Sequence, residues 1–164
     1  TCLVLAGSSG PPASFWSRAD QLGLRARVRY VARPARSDLV SLYQHAAAFV
    51  LPSDEEGLGV VLLEAMACGV PAVATRCGGP DGIITDGRDG YLVGLDDSQD
   101  MANRLSQLLI DKTLNLRMGN AARDTIEKRY AQGVTGAVFL DMWEQLLFKS
   151  RTTARGISTG HFCG

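Results

Sequence analysis

Short apolar runs alternate with longer amphipathic ones along most of this chain. Residues 2–6, 28–32, 46–51, 70–75 and 91–93 are predominantly apolar and short enough for strands, and Gly7 and Pro52 close two of them. The stretches between and after them carry helical spacing. Residues 13–22 predict a weak helix, and 37–44 predict one capped by Ser37 with Leu39, Leu42 and Tyr43 on one face. A third helix is expected over 58–68, ended by Gly69, and Gly78-Gly79-Pro80 predicts a turn. Beyond residue 97 the pattern is helical. Asp97 or Ser98 caps a helix with Met101, Leu105, Leu108 and Leu109 in register, and helices over 114–130 and 134–148 follow. Apolar strands separated by helices predict a parallel sheet covered on both faces, the doubly wound α/β class. This unit is expected to occupy 1–148, while 149–164, polar and aperiodic, reads as a disordered tail.

Composition narrows the function classes. A length of 164 residues suits one domain, and 46% hydrophobic with 21% charged residues is globular, which excludes disorder and collagen-like repetition. Seventeen basic residues balance seventeen acidic ones, so no basic excess marks a nucleic-acid partner. No apolar run approaches the ~20 residues of a membrane-spanning helix, and the first residues, lacking a basic segment, do not read as a signal peptide. Cys2, Cys68, Cys77 and Cys163 show no CxxC spacing. Neither a disulfide framework nor structural zinc is expected, which makes a reduced, cytoplasmic setting the default.

The segment best placed for chemistry runs from Pro52 to Ala67, leaving one strand and opening a helix. Parallel sheets bind ligands at this carboxyl edge. Gly57 and Gly59 leave the backbone bare at the helix entrance, where free N–H groups and the positive end of the helix dipole suit a phosphate. Close packing of helix on strand would call for the same glycines. Glu64 is the only acidic or basic residue between Glu56 and Arg76, on a helix otherwise apolar all round. An unpaired buried carboxylate is costly, so Glu64 must meet either backbone donors or a ligand. Helical side chains lean toward the N-terminus, so a carboxylate in the second turn points back at the helix entrance. There it could accept both hydroxyls of a ribose. Glu56 closes the triplet Asp54-Glu55-Glu56, whose plain reading is a solvated loop favoured by the helix dipole. Asp54 and Glu56 fit a metal-binding spacing, but amides at a helix N-terminus disfavour a cation, and no metal is expected. His45 reads as a surface or packing residue, Cys68 as a small core residue, and Phe139, Trp143 and Leu147 as a packing stripe.

Taken together, Pro52-Ser53, Glu56-Gly57-Leu58-Gly59, Leu63 to Pro71 and Gly78-Gly79 resemble the donor-binding half of glycosyltransferase family 4, the group 1 glycosyl transferases. Seven residues separate Glu56 from Glu64, as in that family's paired-glutamate motif, and the likeness extends to the segment Asp86 to Val93 and over about residues 1–148. The resemblance implies a Rossmann-like C-terminal domain of a retaining GT-B enzyme. Glu56 would be the catalytic-site glutamate, contacting donor-sugar hydroxyls, and Glu64 would hold the ribose. Amides of Gly57, Leu58 and Gly59 would face sugar and phosphate, and those of Val61, Leu62 and Leu63 the diphosphate. The donor would be a UDP-, GDP- or ADP-sugar, with no cofactor or metal. The acceptor would be a glycan, a lipid or a small molecule, and a full-length enzyme could sit peripherally at the inner membrane face.

Several features depart from the family pattern. The strand–helix unit that opens the family's donor half, with its Arg and Lys, has no counterpart in this sequence, nor does an N-terminal acceptor domain, so the fragment alone is expected to be inactive. Ala32 stands where glycine is usual beside the base, Ala47 where Asp is common, and Gly82 where Glu is frequent. A non-catalytic nucleotide-sugar-binding domain and a sugar-nucleotide epimerase of the same architecture are the alternatives. A nicotinamide-dependent oxidoreductase shares the fold class, but Gly7-Ser8-Ser9-Gly10-Pro11 does not supply its glycine fingerprint.

Overall fold

The computed structural model describes residues 1–131, 133–137 and 140. Its elements, in chain order, are β1 (Leu3–Gly7), α1 (Ala13–Gln21), a 3-10 turn at Arg25–Arg27, β2 (Val28–Ala32), α2 (Arg36–His45), β3 (Phe49–Leu51) and α3 (Val60–Ala67). They continue with β4 (Ala72–Thr75), α4 (Gly79–Ile83), β5 (Gly90–Val93), α5 (Ser98–Ile110) and α6 (Lys112–Arg129). The alternation is the expected α/β order, with every strand pair parallel.

β4 shows why its sequence is apolar throughout. Ala72 and Ala74 pack with Leu51, Leu62, Met66, Leu92 and Ala122 on one face, whereas Val73 packs with Tyr91, Val93, Leu108 and Met118 on the other. Side chains alternate faces along a strand, so a strand covered on both sides needs an unbroken apolar run. Here α3 and α6 cover one side, and α5 with another stretch of α6 covers the second. The helices are held at defined ends: Asp97 Oδ1 accepts from Asp100 N at 2.9 Å, and Asp111 Oδ1 accepts from Leu114 N at 2.9 Å.

The sheet is not continuous. Among the described residues, β1 pairs only with β2, and β3, β4 and β5 form a separate ladder, so β1 and β3 each keep one unpaired edge. A doubly wound sheet in the strand order 3-2-1-4-5-6 has its first strand between the second and the fourth. With β1 and β2 taken as the second and third strands of that order and β3 to β5 as the fourth to sixth, the two ladders reproduce its adjacencies.

Other boundaries moved for local reasons. α2 starts at Arg36 after Ala35, with no side-chain cap, rather than after Ser37. Gly79-Pro80 opens one helical turn instead of a plain turn, with Asp81 Oδ2 accepting from Gly78 N at 2.9 Å. Residues 133–137 are helical, and Val134 and Leu140 are 36% and 63% exposed. The expected packing stripe of Phe139, Trp143 and Leu147 lies outside the described residues, as does the expected tail.

Candidate functional site

β3 and β4 run parallel in register, so the loops leaving their carboxyl ends emerge side by side. Backbone bonds tie these loops together. Glu56 N donates to Cys77 O at 3.4 Å, and Gly79 N donates to Glu56 O at 2.7 Å. The Thr75 hydroxyl, at the end of β4, lies 3.3 Å from the Leu51 carbonyl oxygen and 2.5 Å from that of Ser53. It has one hydrogen to donate, and either bond anchors the start of the loop that follows β3. A Cβ on Gly79 would stand 2.8 Å from the Glu56 carbonyl oxygen and 2.9 Å from that of Gly57. Glycine is the residue that permits this approach.

The loop enters α3 through Gly59, which is left-handed at φ 70°. The helix therefore starts at Val60, two residues later than its apolar pattern suggests. Glu56 Oε1 accepts from Gly59 N at 3.0 Å, so the carboxylate lies on the positive end of the helix. Leu62 N and Leu63 N both bind the Gly59 carbonyl, at 2.9 and 3.1 Å. Among the described residues, the amides of Gly57, Leu58, Val60 and Val61 have no partner. Of the amides expected to face a donor, three already hold protein oxygens. Gly59 is engaged by Glu56, and Leu62 and Leu63 have already entered the helical ladder, because orphan N–H groups belong only to the first turn. Gly57, Leu58 and Val61 are without a protein partner among the described residues, as is Val60. Leu58, Val60 and Val61 are 56%, 55% and 40% exposed, giving the loop an apolar outer surface.

Glu64 opens the second turn of α3 and is half-buried. Its Oε2 accepts a bond of 3.3 Å from the hydroxyl of Tyr43, which is 6% exposed on α2. Burial, followed by the Glu64 charge and this bond, pushes the Tyr43 phenol up to about 12. Phe49 braces the Tyr43 ring edge-on, with centroids 5.8 Å apart. Sequence reasoning saw Tyr43 only as part of an apolar helix face. The signal available was a hydroxyl on that face and a single carboxylate on the next helix. No hydrogen bond joins Glu56 to Glu64 among the described residues.

Other candidates settle into structural roles. His45 Nδ1 lies 2.8 Å from the Ser41 carbonyl oxygen on its own helix, and Cys68 packs beside Tyr43, Ala65 and Val70. Ala47 and Gly82 offer only backbone carbonyls, to Asn115 Nδ2 at 2.7 Å and to Arg129 Nη2 at 2.9 Å. Arg76 follows β4 at the same sheet edge, where Asp86 at 3.0 Å and Asp81 at 3.9 Å engage it. Among the described residues, no group of three or more His, Cys, Asp or Glu side chains is disposed to hold a metal ion.

The family model described as "Glycosyl transferases group 1" matches residues 1–125. The chain belongs to this family. It is 38% identical over 124 residues to the D-inositol 3-phosphate glycosyltransferase of Corynebacterium jeikeium, covering 73% of this chain and 30% of that protein. The chain thus spans about a third of the length of the curated relatives it matches. Sucrose-phosphate synthase from Thermosynechococcus elongatus superposes with a TM-score of 0.80 at 27% identity, over 90% of this chain and 39% of that one. The Anabaena HepE structure, determined in complex with UDP, superposes with a TM-score of 0.75 at 22% identity, over 88% of this chain and 41% of its own. The fold of this group 1 chain is the Rossmann-like one of the GT-B glycosyltransferases.

Proposed function

We propose that this chain is the donor-binding part of a retaining glycosyltransferase, which moves a sugar from a nucleoside-diphosphate sugar to an acceptor hydroxyl. The observation that carries the reading is Gly57. A Cβ there would meet nothing within 4 Å, and its φ is not positive. Neither packing nor backbone conformation asks for glycine at Gly57, but a ligand lying against the backbone would. Around it, four unpartnered amides at the start of α3 offer the donors and the dipole end that a diphosphate needs. Family membership and the UDP complex of HepE support the same reading.

In this reading the α3 entrance binds the diphosphate, Glu64 accepts from the ribose hydroxyls, and Glu56 accepts from hydroxyls of the donor sugar. Glu56 is already oriented, since Gly59 N fixes Oε1 and the Gly79 bond fixes its backbone. The acceptor oxygen attacks the anomeric carbon from the face the phosphate leaves. The bond from that carbon to the phosphate oxygen breaks, and the leaving phosphate takes the acceptor proton. Amides at the helix start stabilise the charge that grows on the phosphate, so the chain contributes positioning and electrostatics, and the step calls on no metal. The acceptor domain and the cations that complete the diphosphate site lie, in this proposal, in a longer protein.

Titration calorimetry with UDP, GDP and ADP, each with and without a sugar, tests this. The wild-type chain is expected to bind one base best, and weakly. Glu64→Ala should remove the share of nucleotide affinity that depends on the ribose diol, while Glu56→Ala should keep the bare nucleotide and lose only the increment from the sugar. Equal losses of bare nucleotide in the two variants would contradict the division of roles.

A further inference from the structure

The geometry points to Tyr43 as a positioning residue for nucleotide binding: its hydroxyl holds Oε2 of Glu64, leaving Oε1 to receive the ribose diol. This inference rests on the proposed ribose role of Glu64 and adds a residue and a mechanism to it. Three observations converge. Tyr43 Oη donates to Glu64 Oε2 at 3.3 Å across the contact between α2 and α3. The Tyr43 ring cannot drift, because it is 6% exposed, packed with Ala65 and Val70, and braced by Phe49. Oε1 of Glu64 has no protein partner among the described residues, yet none of their buried side-chain oxygens lacks one, so Oε1 opens to solvent.

One oxygen is thus fixed by the protein and the other is available. A glutamate has several rotatable bonds, and a ligand that must first immobilise it binds more weakly. The Tyr43 hydroxyl supplies that order in advance. At 3.3 Å the bond is long for a hydroxyl on a carboxylate, and bonds at ligand-free sites commonly tighten when the ligand arrives. The raised phenol pKa is consistent with this arrangement, since burial and the neighbouring carboxylate both keep the proton on Tyr43.

The test uses the whole chain and asks for a readout that packing alone would not move. UDP, GDP and ADP are each compared with their 2′,3′-dideoxy forms in the wild type, Tyr43→Phe and Glu64→Gln. Phenylalanine keeps the ring and its contact with Phe49, and near-ultraviolet circular dichroism checks the fold. The wild type is expected to prefer the diol for whichever base binds best. Tyr43→Phe should lower that preference roughly three- to tenfold, the net worth of one ordinary hydrogen bond, as suits a bond this long, and leave the affinity for the dideoxy form unchanged. A second measurement needs no change at Tyr43. In Glu64→Gln, ultraviolet titration should show one tyrosine moving from about 12 toward its ordinary 10.0. Full diol preference in Tyr43→Phe, or an unmoved tyrosine in Glu64→Gln, overturns the inference. So does a wild type that binds nucleotide with no diol preference, which leaves the phosphate site standing. A wild type that binds none of the three nucleotides overturns the functional reading itself, and this inference with it.

Discussion

An alanine at position 79 would bring its methyl carbon within 2.8 Å of the Glu56 carbonyl oxygen and 2.9 Å of that of Gly57, so one loop must move. At position 57 the same methyl group would meet nothing. The two glycines therefore separate what the fold needs from what the proposed ligand needs. Gly79→Ala is expected to cost about 1–3 kcal/mol in urea unfolding, as overpacking does, and to weaken binding because it displaces Glu56. Gly57→Ala is expected to stay within about 0.5 kcal/mol of the wild type while losing nucleotide-sugar affinity in calorimetry. Gly57→Ala that binds as well as the wild type would remove the main support for the functional reading. At this scale the sequence was informative about identity and less so about geometry. The spacing of Glu56 and Glu64 and the glycines between them were legible, because motif chemistry is local. That Glu56 folds back onto Gly59 N was not legible, nor was the reach of Tyr43 to Glu64, because each depends on a loop or a helix pair that periodicity does not place.

Elements are set by pattern, but their joints are set by single polar groups. The apolar runs located the five strands among the described residues, and β4, covered by a helical layer on each face, is buried at every residue, as is β5. Joints escaped the pattern. The expected helix from residue 58 begins at Val60 because Gly59 is left-handed, and the Gly78-Gly79-Pro80 turn becomes a helical turn because Asp81 caps it. The segment before β5 is a further case. Asp89 is fully buried, with Oδ1 accepting from Thr85 N and Oδ2 from the Thr125 hydroxyl on α6, both at 2.7 Å. This pair joins the turn ahead of β5 to the long helix behind the sheet. Thr125→Val keeps the shape and removes the donor, leaving a buried carboxylate one bond short. A loss of about 1–3 kcal/mol is expected in urea unfolding, with nucleotide binding kept. A change within experimental error would mean that Asp89 is satisfied by other means and that the turn is anchored elsewhere.

Stability is distributed unevenly over the molecule. Every residue of the three core clusters lies at or beyond Tyr43 except the partly buried Leu39 that flanks one of them, and Ala19 is the only buried hydrophobic residue before Tyr43. β1 pairs on one side only, and Leu3 and Val4 are 44% and 41% exposed, which is unusual for a parallel strand. α1 leans on local contacts, with Arg25 over the Trp16 ring at 3.9 Å and Phe15 edge-on to Trp16 at 5.2 Å. A two-stranded ladder with little apolar cover opens at low cost, whereas the ladder from β3 to β5 can open only by disrupting both helical layers. Native-state hydrogen exchange is therefore expected to resolve two classes of amide. Those in β1 and β2 should exchange through local opening, insensitive to low denaturant, while those in β4 and β5 exchange only through global unfolding. The free edges of β1 and β3 explain the difference, since a strand between them would close the sheet and carry the cover of the core across to β1 and β2. If β1 amides are protected as strongly as those of β4, the two ladders are one cooperative unit and the unpaired edges carry no energetic consequence. Because the proposed phosphate and ribose contacts sit on α3 and the loops after β3 and β4, with Tyr43 of α2 behind Glu64, they belong to the better-protected part. Nucleotide binding should accordingly slow exchange around α3 and leave the β1 amides as they were.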